Sequence, residues 1–128
     1  MSLQIIHTAD WHLGQTFFGY DRDEEHEAFL IWLTGMLAER QADVLLIAGD
    51  VFDVANPSAA AQRRFFRFLR EANRRNPHLQ VVVVAGNHDS AGRLEAPIPL
   101  LEELNTSIVG IIPRTDLCKI DFESLLIP

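Results

Sequence analysis

With one cysteine, Cys118, in 128 residues, the chain can form no internal disulfide, so packing alone must hold its core. No apolar run approaches the roughly 18 residues that a membrane span needs, and the N-terminus shows neither the charged n-region nor the long h-region of a secretory leader. The single cysteine fits a reducing compartment, and the cytoplasm is the expected location. Basic charge is not in excess: 11 Lys and Arg against 18 Asp and Glu give a formal net charge of −7, which argues against a generic nucleic-acid-coating protein. Internal repeats, low-complexity tracts and a domain linker are missing. So is any G-x-G-x-x-G or G-x-x-x-x-G-K-[ST] segment after a strand, which removes the phosphate-loop nucleotide folds.

What remains is an ordinary globular composition, 48% hydrophobic and 23% charged, in a chain long enough to be one domain or part of one. Three stretches read as strands: 4–9, 44–48 and 80–85. Acids at 21–25 open a helix from about 24 to 40, and the three- and four-residue spacing of Phe29, Trp32, Leu33, Met36 and Leu37 gives it a core face. Asn56 as cap and Pro57 as first helical residue open a second helix to about residue 73. Ala61, Phe65, Phe68, Leu69 and Ala72 form its core arc, with Phe66 beside an opposite stripe of Arg63, Arg67, Arg70 and Arg74. That stripe is either a solvated face or a surface for a DNA backbone or a protein partner. The alternation predicts a doubly wound α/β half-sandwich in which the three strands are parallel and adjacent and the two helices cover them.

Smaller expectations complete the pass. Leu13 to Tyr20 reads as a loop over the strand ends, either a lid or simply packed. His7 is expected in the core, His26 and His78 on the surface, and Cys118 in packing. Pro97 and Pro99 confine a short helix to Ile98 onward, with Leu100, Leu101 and Leu104. Residues 107–112 and 117–122 read as further strands, and 125–128 begins another that stops without a partner, so the chain looks truncated.

The chemistry concentrates where the three main strands end. The first runs into Asp10-Trp11-His12, the second into Gly49-Asp50-Val51-Phe52-Asp53 and the third into Gly86-Asn87-His88-Asp89. Open α/β sheets bind ligands outside the carboxyl ends of their strands. Asp10 and His12 are two apart, so in an extended segment both face one side. Asp50 has two oxygens and can bridge two ions, and Asn87 offers a neutral carbonyl oxygen. Carboxylate, imidazole and amide without clustered thiolates favour manganese, iron or magnesium over structural zinc. Each segment alone is weak; three together, each at a strand end, are specific.

These residues resemble the first three motifs of the calcineurin-like metallophosphoesterases. The longer segments His7-Thr8-Ala9-Asp10-Trp11-His12-Leu13-Gly14, Gly49-Asp50-Val51-Phe52-Asp53 and Gly86-Asn87-His88-Asp89-Ser90 are similar to the SbcD-type nuclease subunits of bacterial DNA double-strand-break repair. The resemblance covers most of residues 4 to 104. It implies the N-terminal half of a parallel-sheet metallophosphoesterase domain, a four-layer α/β/β/α sandwich when complete. It implies a DNA exonuclease and endonuclease acting on double-strand ends and hairpins, working with an SbcC-type SMC-like ATPase and usually as a homodimer. Candidates for a dimer surface are Phe66 and the leucines of residues 100–104.

Carried over by position, the resemblance gives Asp10 and His12 to a first metal, Asp50 to the bridge and Asn87 to a second, with Mn2+ the usual ion. His88 and Asp53 become the catalytic pair: His88 meets the scissile phosphate and protonates or stabilises the leaving oxygen, and Asp53 orients it. The departure is downstream. The family completes both metal shells with later histidines, and no histidine follows His88 in this chain. A small-molecule phosphodiesterase or phosphatase of the same superfamily, and a non-catalytic binding or assembly module, are the alternatives.

Overall fold

The computed structural model describes residues 2–54, 56–84 and 106–109. In chain order the elements are β1 (Ile5–Thr8), β2 (Thr16–Phe17), β3 (Tyr20–Asp21), α1 (Asp23–Glu39), β4 (Val44–Ala48), α2 (Ala59–Arg75), β5 (Gln80–Val84) and β6 (Thr106–Val109). Four of them form one sheet in the order β1-β4-β5-β6, every neighbouring pair parallel. The expected strand near 107–112 is therefore present as β6. The segment 13–20 folds into the small antiparallel ribbon β2–β3, outside that sheet. The short helix after Pro97, the strands at 117–122 and 125–128, and Cys118 lie outside the described residues.

The register explains which side chains make the core. Leu45 pairs with Val81 and Ile47 with Val83, and all four are essentially inaccessible. Their neighbours Val44, Leu46 and Val82 point the other way and are half-buried, so the central strands are sealed on one face only. His7 is on that more open face of the edge strand β1 and is exposed, which corrects its expected place in the core. Each crossover moves to the next strand in the same direction along the sheet. Right-handed connections of that kind put successive helices on one side, and α1 and α2 do pack against each other. Among the described residues the sheet is thus covered by helices on a single face rather than doubly wound.

On α1 the buried residues are His26, Leu30, Leu33, Thr34 and Leu37. Phe29 packs at their edge. Trp32 lies about 160° around the helix from Leu30 at 100° per residue, and it is 57% exposed; the apolar spacing that assigned it to the core missed that offset. His26 stands one turn before Leu30, inside the buried stripe, and not on the surface as expected. His78 is exposed as expected.

On α2 the core arc is the expected Ala61, Phe65, Phe68, Leu69 and Ala72, and Arg63, Arg67, Arg70 and Arg74 are exposed. Phe66 is half-buried against the core and tilted on Phe65 at 5.5 Å. The helix begins two residues later than the Asn56-Pro57 reading: Ser58 is the cap, its hydroxyl accepting from the Ala61 N–H at 3.1 Å. At the far end Asn76 donates through Nδ2 to the Ala42 carbonyl at 3.0 Å, tying the end of α2 to the entry of β4. Arg64 joins the helices, its Nε donating to Glu27 at 3.0 Å and its Nη1 lying 3.4 Å from Asp23.

Candidate metal centre

Beyond Thr8 and Ala48 the strands stop, but the two chain segments stay joined. The Asp10 N–H donates to the Gly49 carbonyl at 3.1 Å, His12 to Asp50 at 3.0 Å, Leu13 to Val51 at 2.9 Å and Asp53 back to Leu13 at 3.2 Å. Leu13 and Phe52 form an isolated parallel bridge, both buried. The loops after β1 and β4 are thereby one zipped unit, and they carry the carboxylates and the imidazole.

The backbone within that unit is unusual. Asp10, His12 and Asp50 have φ of 56°, 50° and 51°, in the left-handed region, and Gly49 has φ of 90°. A left-handed conformation costs an L-residue roughly 1–2 kcal/mol, although Asp, Asn and His tolerate it better than most. Three of the five described non-glycine residues with positive φ are these three, the clustering expected where a site over-determines its backbone. The segment from Asp10 to His12 is therefore not the extended stretch expected from the spacing.

The side chains nonetheless converge. One oxygen of Asp10, one nitrogen of His12 and one oxygen of Asp50 all lie within 4.8 Å of one another. Donors around a single ion stand roughly 3 to 4 Å apart at ordinary ligand distances, so the set is near the spacing of one ion's ligands. Asp50 is buried, His12 half-buried and Asp10 exposed, which leaves the centre open on the Asp10 side.

Trp11, between two of the donors, points the opposite way. It is 6% exposed, its Nε1–H donates to Thr8 Oγ1 at 2.9 Å, and it meets Phe29, Phe65 and Phe68 edge-on at 5.5, 6.1 and 5.4 Å. It nails the loop to the core beneath the donors, a role the sequence reading did not give it. A second contact was also missed: His12 Nδ1 lies 3.1 Å from Asp53 Oδ1. Forty-one residues separate the pair, too far for any local pattern to show it. Asn87 and His88 lie outside the described residues.

A groove of about 320 Å³ between α1 and α2, floored by Leu30 and Phe68 and rimmed by arginines of α2, shares no residue with this donor set. The converging donors stand at the sheet end, not in the groove.

Residues 3–126 match the family model of the calcineurin-like phosphoesterases. The chain belongs to that family. Phosphoesterases of this family use divalent metal ions, and two carboxylates with one imidazole suit such a cation. The chain is 51% identical over 112 residues to the SbcD component of the SbcCD nuclease of Rhodobacter capsulatus, covering 88% of this chain and 28% of that protein. With the same-named protein of Escherichia coli K12 the identity is 40% over 133 residues, 94% of this chain and 33% of the other. With that of Bacillus subtilis it is 38% over 122 residues, 95% and 31%. The chain spans about a third or less of the length of these relatives.

Proposed function

We propose that the chain is the N-terminal part of a metal-dependent DNA nuclease subunit that hydrolyses phosphodiester bonds at double-strand ends and hairpins, in double-strand-break repair. The observation that carries this is the convergence of Asp10, His12 and Asp50 at the ends of β1 and β4, in a phosphoesterase chain similar along most of its length to proteins named as nuclease subunits. In this reading Asp10, His12 and Asp50 would hold one ion and Asp50 and Asn87 would serve a second; Mn2+ is the candidate. When bound, such a pair activates water and steadies the leaving oxygen of a phosphoester. His88 meets the scissile phosphate, with Asp53 orienting it. The partner is an SbcC-type SMC-like ATPase, the assembly a homodimer, and the compartment the cytoplasm. Among the described residues no helix is long and apolar enough to cross a membrane.

The 128-residue chain by itself offers the second ion only Asp50 and Asn87 among the assigned ligands. A divalent ion with so few protein ligands stays largely hydrated, so this stretch alone takes up at most one manganese, weakly, and cleaves no DNA.

The test uses the full-length protein, assayed with manganese on linear duplex DNA beside a model phosphodiester. Degradation of duplex DNA that His88→Ala abolishes, while metal content stays near the wild-type level, is the expected result. Activity on the model ester with none on DNA would support the small-molecule phosphodiesterase instead.

A further inference from the structure

We infer that Asp53 is a positioning residue for the metal centre, accepting the Nδ1 proton of His12 and so fixing that ring with Nε2 presented as the ligand atom. The inference rests on the metallonuclease reading and adds to it a task for Asp53 separate from any service to His88.

The contact is 3.1 Å from His12 Nδ1 to Asp53 Oδ1, with the side chains 21% and 31% exposed. An ionised carboxylate only accepts hydrogen bonds, so the imidazole nitrogen facing it must carry the proton. In a neutral ring that leaves the lone pair on Nε2, the form in which imidazole binds a cation. The distance alone does not make the pair durable; the backbone on both sides does. His12 is held by its N–H on the Asp50 carbonyl, and Asp53 by its N–H on the Leu13 carbonyl. Leu13 and Phe52, the chain neighbours of the pair, form the buried bridge between the two loops. With φ of 50°, His12 sits in a backbone conformation that this zipped unit holds in place.

Asp53 is outside the group of converging donors, which is Asp10, His12 and Asp50. Its carboxylate therefore acts on the ion through His12. A partner of this kind sets ring orientation and raises ligand basicity, and its loss typically weakens metal affinity by about 10- to 100-fold. The carboxylate has two oxygens, so service to His88 through the other one is compatible.

The experiment compares the full-length wild type with Asp53→Ala and Asp53→Asn, with thermal unfolding as the folding control. Two readouts are taken: the His12 ring tautomer from nitrogen NMR of the metal-free protein, and manganese affinity by titration calorimetry. The expected result is a single Nδ1–H tautomer in the wild type, a mixture in Asp53→Ala, and manganese binding weakened by about 10- to 100-fold in that variant. Asp53→Asn, whose amide oxygen still accepts from Nδ1–H, should fall between the two. If Asp53→Ala does not fold, Asp53→Asn decides by the same two readouts. Wild-type tautomer and affinity retained in the variants, with only turnover lost, would overturn the inference and leave Asp53 to His88 alone. A single tautomer in a wild type that binds no manganese would instead overturn the metallonuclease reading, and the ligand role assigned to His12 with it.

Discussion

Asp10, His12 and Asp50 were legible as candidate donors because their chemical type and their place after buried strands are both written locally. Their left-handed backbone was not, since no spacing rule reports φ; nor was the link from His12 to Asp53, which exists only once the two loops are zipped. Burial, with help from the Arg22 charge, holds the His26 imidazole below its ordinary value, against the opposing pull of Asp23. Its Nδ1 is buried without a hydrogen-bond partner among the described residues. The folded state therefore resists a proton that the unfolded chain accepts at about pH 6.5. Stability is whole above that pH and falls as the pH drops through the lower folded value. His26→Leu should show a smaller loss of urea midpoint between pH 7.5 and 5.5 than the wild type; an equal loss would show that His26 does not contribute.

At the scale of elements, the main strands β1, β4 and β5 were readable to within a residue, most clearly β4 and β5, whose continuous Val, Leu and Ile runs leave little choice; the two-residue strands β2 and β3 were not, being too short to show a period. Helix α2 was equally clear, its apolar arc and arginine stripe falling on opposite sides. Helix α1 was not, because Ile31 and Trp32 are apolar yet exposed and blur the pattern that separates Leu30 and Leu33 from the outer face. The start of α2 was placed too early because Asn56-Pro57 carries a good cap signature, and only the structure shows the Ser58 hydroxyl on Ala61 N–H. Losing a cap of this type costs about 1 kcal/mol. Ser58→Ala should lower stability by about that amount in urea unfolding, and Asn56→Ala should be close to neutral. The reverse order would return the cap to Asn56.

For the molecule as a whole, the order β1-β4-β5-β6 sets the ends of β1 and β4 side by side, and this adjacency brings donors 40 residues apart in sequence into one cluster. The parallel sheet followed from strand–helix alternation, but one-sided helix cover required the direction of each crossover, which composition and periodicity do not encode. The proposed function rests on Asp50 as the ligand shared between two ions of a phosphodiesterase. It is tested most directly by elemental analysis and duplex-DNA cleavage on the full-length Asp50→Asn protein, measured beside wild type under identical manganese. The account predicts two ions per chain in the wild type, loss of bound metal in the variant, and cleavage reduced by at least about 100-fold, as expected when chemistry needs both ions. A folded Asp50→Asn protein that keeps both ions and cleaves at the wild-type rate would contradict it.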